Sequence, residues 1–349
     1  MDGLSAARSW NAQARRLHAE GRTAEALEPA RAALAVVRRA RGPRHDDTTS
    51  VRIGLSIICE RLSLYDEAEE HAERAVAATD HDGAPVRLRT HALSRLAVMD
   101  RIRGRLDHAG MLYEQAIALA TTNPSATDSD QVSLLSGLGV VHKAAKRYDA
   151  AEALYRKALG MTNPDGDAAA SLWHNLGGLD HARGRHAAGE PAARRSVRIR
   201  AALLGADHPM VAADQAALAS LLAGQKKYRE AEDLYLTALV IFEKTYGVEN
   251  YEVAVTHNDL GALEAARGNT DLARRHYYLA IALKTGILGA GHPEVALTRR
   301  NLAVLDGKAQ NQAADEAGKP AQHGDFDLLG GVADDLSLGT DRGVRRACS

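Results

Sequence analysis

Apolar and polar residues alternate along this chain with the period of an α-helix, and the pattern recurs about every 42 residues. Each repeat holds two apolar stretches that are separated by a short polar turn. The turns begin at seven positions spaced 38 to 42 residues apart, namely Gly21, Ser63, Gly104, Lys146, Gly184, Lys226 and Gly268. Each repeat therefore predicts a helix, a short turn and a second helix.

Small residues recur at fixed positions relative to each turn. One set lies five residues after the turn begins: Ala26, Ala68, Ala109, Ala151, Gly189, Ala231 and Ala273. A second set follows seven residues later, and a third lies seven residues before the turn. Small side chains seven positions apart share one helical face and let two helices approach to the short end of ~8–10 Å. A single pair cannot bury its own apolar face, so the pattern predicts stacked pairs.

The joints between repeats carry a second motif. They read Gly-Ala-Asp-His-Pro from Gly205 and Gly-Ala-Gly-His-Pro from Gly289. Glycine can end a helix in the left-handed conformation, and proline is tolerated at the first position of the next helix. Over roughly residues 8–305 the pattern resembles the tetratricopeptide repeat, in the ~42-residue form of kinesin light chains. The resemblance implies an all-α, right-handed superhelical solenoid of stacked antiparallel helix pairs.

This reading assigns residues 1–306 to seven helix pairs followed by a terminal capping helix. The fifth repeat departs from the pattern, because Gly189, Pro191 and Ser196 interrupt its second helix. We expect that helix to start late or to kink.

Beyond Asp306 the periodicity stops, and residues 307–349 are predicted to be a disordered, acidic and Gly-rich tail. Within that tail, the acidic and apolar run 325–329 is either a short binding motif or a solvated segment with incidental leucines.

Composition argues against several classes of partner. The formal net charge is -1, which gives no electrostatic footprint for nucleic acid or an anionic membrane. Two cysteines cannot form a disulfide framework. The first ten residues lack the basic and apolar regions of a signal peptide, so we expect a cytoplasmic protein.

No motif for catalysis, for a cofactor or for a metal is found. The sequence holds no phosphate-binding loop, dinucleotide-binding glycine pattern, Cys-x-x-Cys or His-Glu-x-x-His. His174 and His181 share a helical face but lie ~10 Å apart along the axis, too far to share one ion. The basic cluster Arg194, Arg195, Arg198 and Arg200 is interpreted as a wet outer face.

The resemblance implies that the first helix of each pair lines a concave groove. The positions on that face are small and polar, and they are cationic in the middle repeats. Asn175 and Asn258 resemble the asparagines with which family members hold a peptide backbone, and Arg101 and Lys143 would favour carboxylates. The candidate groove residues are Ser94, Arg101, Ser136, Lys143, His174, Asn175, His181 and Asn258. The alternative is a polar surface that faces solvent and binds nothing.

The sequence thus predicts a non-enzymatic scaffold or adaptor that binds a protein or peptide, acidic in character, in its groove. The chain's own C-terminal tail is a second candidate ligand. One rival is a peptide-sensing regulator that changes solenoid shape when it binds. The other is an enzyme with an unrecognised site.

Overall fold

The computed structural model describes residues 3–123 and 127–307, and this part of the chain is helical without any strand. The predicted tail falls almost wholly outside the described residues, and so does Cys348. The helices are α1 (Gly3–Ala19), α2 (Thr23–Arg41), α3 (Asp46–Arg61), α4 (Tyr65–Thr79), α5 (Val86–Ile102), α6 (Leu106–Thr121), α7 (Asp128–Ala144), α8 (Tyr148–Leu159), α9 (Asp167–Ala182), α10 (His186–Leu204), α11 (Pro209–Gly224), α12 (Tyr228–Tyr246), α13 (Tyr251–Arg267), α14 (Thr270–Leu288) and α15 (Pro293–Leu305).

Consecutive helices pair in the predicted way. Helices α1 to α14 form seven units of a first and a second helix, and each unit packs on the next. Helix α15 occupies the first-helix position of an eighth unit and packs on α14. The all-helical solenoid predicted from the repeat is therefore confirmed within the described residues.

The small residues lie where the helices touch. The alanines of the first set are fully buried, as Ala26, Ala68, Ala109, Ala151, Ala231 and Ala273 all have 0% exposure. Large side chains fill the spaces beside glycines in the same positions of the first helices. A Cβ added at Gly139 would lie 2.4 Å from the Tyr155 ring, and one added at Gly261 would lie 2.8 Å from the Tyr277 ring. At these two positions glycine is thus required, because any side chain would collide with the tyrosine ring.

The fifth unit corrects one expectation. Helix α10 begins at His186, directly after its turn, and continues to Leu204 with Pro191 inside it. The start is not delayed. Gly189 fits because a Cβ there would meet Leu221 and the Gly177 carbonyl at about 3 Å. Its Ser196 hydroxyl, which replaces alanine, donates to the Ala170 carbonyl at 2.8 Å.

The turn inside each unit has one residue in the left-handed backbone region. Four of the seven are glycines, whereas Ser63, Lys146 and Lys226 adopt φ of 60°, 60° and 63°. A left-handed conformation costs a non-glycine residue roughly 1–2 kcal/mol.

We expect Lys226→Gly to raise the free energy of unfolding by about 0.5–1 kcal/mol, because relief of this strain exceeds the entropy that glycine adds to the unfolded chain. Urea denaturation measures the change. Lys157→Gly, at an exposed position inside α8, is the matched control and should lower stability by about 1 kcal/mol. Equal losses at both positions would contradict the prediction.

Candidate functional site

The first helices of successive units form the inner surface of the solenoid, and three residues join one superhelical turn to the next. They are His208, Asn250 and His292, the residues that precede α11, α13 and α15. Each first caps its own helix. The amides of Met210, Glu252 and Glu294 donate to their side chains at 3.2, 2.9 and 3.3 Å.

The same side chains then reach back about 190 residues along the chain. His208 Nε2 lies 3.3 Å from the Ala19 carbonyl, Asn250 Nδ2 donates to the Arg61 carbonyl at 3.0 Å, and His292 Nε2 lies 3.1 Å from the Ile102 carbonyl. Ala19, Arg61 and Ile102 are the last residues of α1, α3 and α5. The first helices α1, α3 and α5 therefore each contact the start of the first helix five units further on, which is α11, α13 or α15. We call these three contacts the inter-turn seam.

Further contacts strengthen the middle of the seam. The Tyr251 amide donates to Ser63 Oγ at 3.0 Å, and the rings of Tyr65 and Tyr251 meet edge to face with centroids 6.3 Å apart. Arg61 Nη1 lies 3.5 Å from Glu252 Oε1. Three atoms here are buried without a hydrogen-bond partner: Arg61 Nη2, Glu252 Oε2 and Asp259 Oδ2. A buried unpaired polar group costs about 1–3 kcal/mol, so the seam is held by polar contacts that are only partly satisfied.

The predicted groove residues are largely shielded from solvent. Ser136, Lys143, His174, Asn175, His181 and Asn258 are all buried. Ser94 and Arg101 are half-buried. The alternative, a polar surface that faces solvent, therefore does not describe these positions in this conformation.

Several of these residues contact neighbours on adjacent first helices. Asn175 Nδ2 donates to Ser136 Oγ at 3.2 Å, and Asn301 Nδ2 donates to Asn258 Oδ1 at 3.3 Å. Ser94 Oγ instead donates to the His91 carbonyl of its own helix at 2.9 Å. The predicted stripe is thus a ladder of polar contacts between units.

The middle of the ladder holds a buried charge network that the sequence did not indicate. Asp214, with 0% exposure, accepts from Arg200 Nε at 2.8 Å and lies 2.8 Å from His174 Nδ1. Arg200 also donates to Ser171 Oγ at 2.9 Å and to Asp167 at 3.0 Å. Burial raises the pKa of Asp214, but Arg200 and His174 outweigh it and hold that pKa below the ordinary value.

This network corrects the interpretation of the basic cluster as a wet outer face. Arg194 does lie outside, paired with Glu190 and Glu230. Arg195 packs over the Trp173 ring, 4.7 Å from its centroid. Arg200, however, is only 1% exposed. Its carboxylate partner lies 14 residues away on the next first helix, so no local pattern marked it as buried.

A cavity of about 310 Å³ lies beside the second and third seam contacts. It brings two predicted groove residues together, Arg101 and Asn258. Acidic and basic side chains are nearly balanced around it: Glu60, Glu252, Asp259 and Glu294 against Arg61, Arg101 and Lys284. Arg95 neutralises Glu60 at 2.6 Å, and Lys284 neutralises Glu294 at 3.1 Å. The lining of this cavity is therefore polar without a cationic excess.

Glu252 gives the seam a dependence on pH. Burial raises the pKa of Glu252 to about 7, and Arg61 opposes the shift only in part. The folded state thus binds this proton more tightly than the unfolded state, whose glutamate pKa is about 4.3. The contribution of Glu252 to stability should fall as pH rises from about 4 to 7 and level off above that range. Burial lowers the pKa of other groups, such as His18 and His257 to about 4, and their contribution rises over the same interval.

We expect Glu252→Gln to remove the part of the pH dependence that Glu252 contributes. Urea melts at pH 5 and pH 8 should show that the variant gains stability relative to the wild type as the pH rises. Glu249→Gln, at an exposed neighbouring position, is the control and should keep the wild-type difference. An unchanged pH dependence in Glu252→Gln would place the titration elsewhere.

No helix within residues 3–123 and 127–307 combines the length and apolarity needed to cross a membrane.

The chain was compared with known proteins. Part of it is 30% identical to a clustered mitochondria protein homolog of Aspergillus niger, and 29% identical to that of Emericella nidulans. Each match covers 110 residues, 32% of this chain, and the chain spans only 9% of the length of either relative.

Solved structures show a likeness of fold. The Cut9-Hcn1 hetero-tetramer of APC/C matches with a TM-score of 0.54 at 14% identity, over 87% of this chain and 57% of that chain. A putative kinesin light chain repeat protein of Podosopora anserina matches at 20% identity over 70% of this chain and 99% of that chain, with a TM-score of 0.33.

The family model described as tetratricopeptide repeat matches residues 5–80, 88–163, 168–244 and 252–319. These matches span most of the chain and coincide with the stacked helix pairs. The protein belongs to the tetratricopeptide-repeat family.

Proposed function

We propose that this protein is a non-enzymatic scaffold that binds an extended segment of a partner protein along its inner surface. Tetratricopeptide repeats generally mediate protein–protein interaction, and the proposal adds the place and the manner of binding. The observation that carries it is the ladder of side-chain contacts between first helices. The side-chain amides of Asn175 and Asn258 are hydrogen-bonded to neighbouring side chains. The backbone of a bound peptide can take the place of those partners without leaving the asparagine amides unpaired.

Selection from a random peptide display library tests this proposal. Binders should lose affinity for Asn175→Ala and Asn258→Ala by roughly 5- to 10-fold each, the equivalent of one lost hydrogen bond. Asn163→Ala, at an exposed loop position, should bind like the wild type. Failure to select any peptide, or binders indifferent to both inner asparagines, would contradict the proposal.

The character of the ligand is a separate proposal. Arg101 and Lys143 favour carboxylates, so the selected peptides should be enriched in Asp and Glu. Binding should weaken as salt shortens the Debye length. A synthetic peptide of residues 322–338, from the chain's own tail, should compete with them if the tail is a ligand. If the selected peptides are neutral or basic, the proposed preference for acidic ligands is wrong, but the inner surface can still be the binding site.

The inter-turn seam favours a second candidate function, a regulator that changes solenoid shape when it binds. A segment that enters between the turns must displace some of the three contacts, and the unpaired atoms of Arg61, Glu252 and Asp259 lower the cost of doing so. Binding and opening are then coupled through one free energy.

A variant that keeps the helix cap but loses the seam contact tests this coupling. Serine caps helices about as well as asparagine but is too short to reach across, so Asn250→Ser should cost about 1 kcal/mol in the seam alone. We expect a larger radius of gyration in solution scattering and faster amide exchange at the ends of α3 and α13. Asn269→Ser, at a cap that makes no seam contact, is the control. Scattering curves that coincide for wild type and Asn250→Ser would argue against a shape change.

A further inference from the structure

Two histidines face each other between the helices of the seventh unit. His257 lies on α13 and His276 on α14, and both rings are half-buried. Their Nδ1 atoms are 3.1 Å apart, with ring centroids 5.3 Å apart and an angle of 33° between the planes. Neither ring has another hydrogen-bond partner among the described residues.

This contact requires an uneven arrangement of protons. One Nδ1 must carry a hydrogen and donate it, while the other must offer its lone pair. The two rings are thus held in different tautomers, although their surroundings are similar. An ion placed between the two nitrogens would accept both lone pairs, with each ring then carrying its proton on Nε2.

The separation of the nitrogens matches two ligands of one metal ion. Imidazole nitrogens bind zinc at about 2.0–2.1 Å. Two such nitrogens lie about 3.4 Å apart at a tetrahedral angle and about 2.9 Å apart at a right angle. The observed 3.1 Å lies between these values. With centroids 5.3 Å apart the two rings lie almost end to end, so each ring must tilt for both lone pairs to converge on one ion.

We propose that His257 Nδ1 and His276 Nδ1 bind a divalent transition-metal ion of the class that prefers imidazole, such as Cu²⁺ or Zn²⁺. No set of three or more His, Cys, Asp or Glu side chains in the described part of the chain is arranged around one point. The remaining coordination positions therefore belong to water or to a ligand from outside. The ion joins α13 to α14 and leaves an open coordination site on the C-terminal unit.

A second histidine pair shows what the geometry requires. The rings of His181 and His186 have centroids only 5.1 Å apart, but they are inclined at 55°. Their two Nδ1 atoms are not hydrogen-bonded to each other. Proximity of two rings is thus not sufficient. The sequence predicted no metal site because His257 and His276 lie 19 residues apart on different helices, with no ligand spacing to recognise.

Calorimetric titration of the tag-free chain with CuCl₂ and ZnCl₂ tests the site. We expect one ion per chain, and His257→Gln and His276→Gln should each weaken binding by roughly tenfold or more. His81→Gln, at an exposed loop position, should leave the affinity unchanged. Circular dichroism of the variants separates loss of a ligand from loss of fold.

Electron paramagnetic resonance of the Cu²⁺ complex provides a second readout. The wild type should show hyperfine coupling to two imidazole nitrogens, and each single variant should show coupling to one. No detectable binding overturns the proposal. So does equal affinity in wild type and both variants, or binding that His81→Gln removes.

Discussion

Replacing Asp214 by alanine is expected to lower the free energy of unfolding by about 3–5 kcal/mol. The change leaves the Arg200 guanidinium buried without its main counter-charge, and it leaves His174 Nδ1 without a partner. An uncompensated buried charge costs far more than the net gain from the pair that it once formed. Urea denaturation followed by circular dichroism measures the difference.

Asp149→Ala provides the matched control. Asp149 also pairs with an arginine, Arg183, but it is fully exposed, so its loss should be barely measurable. The double variant Asp214→Leu, Arg200→Met should be more stable than Asp214→Ala alone, since it removes both buried charges together. If Asp214→Ala and Asp149→Ala have the same free energy of unfolding, the buried network does not contribute to stability, and Arg200 must be compensated by other groups.

Ala151→Asp and Ala231→Asp are expected to destabilise the protein by about 2–5 kcal/mol each. Both alanines are fully buried where the two helices of a unit touch, next to Tyr155 and Tyr235 in the core clusters. A carboxylate there lacks both space and a partner.

Ala150→Asp is the control for this pair of variants. Ala150 is exposed on the first turn of α8, where a negative charge is tolerated or slightly favourable. Losses below about half a kcal/mol at Ala151 and Ala231 would mean that the small-residue positions do not mark the helix contacts.

The sequence predicted the repeat unit well, because the features that define it are local. The buried alanines and the turn residues recur at fixed spacing. The late start expected for the second helix of the fifth unit was wrong, since α10 begins at His186 and includes Pro191. A proline near the start of a helix removes a hydrogen bond that the surrounding packing can outweigh.

The inner surface could be predicted only in part. The spacing of its residues predicted one helical face, but their burial depends on how closely neighbouring units approach. The partners of His174 and Asn175 lie about 40 residues away, on first helices that the sequence places next to each other without giving a distance. Asp214 and Glu252 drew no attention because a lone acidic residue on a helix is usually exposed.

The inter-turn seam lay furthest from what a sequence can indicate. The joint prolines were expected at the first position of a helix, and Pro209 and Pro293 begin α11 and α15. The capping by His208 and His292 was not predicted. Their contact with the preceding superhelical turn depends on the pitch of the superhelix, and that pitch results from small rotations between units that accumulate over five units. The sequence pattern of a single repeat does not indicate this accumulated rotation.

The seam also alters the cooperativity of the protein. A repeat array in which each unit touches only its neighbours unfolds from its ends, one unit at a time, as a one-dimensional system. Here the ends of α1, α3 and α5 are tied to units five places away, so the N-terminal units cannot fray without loosening the C-terminal ones. Contacts across about 190 residues also raise the contact order, which slows folding relative to an open array of the same length. The chain therefore departs from a purely one-dimensional array, to the extent that these three contacts remain closed.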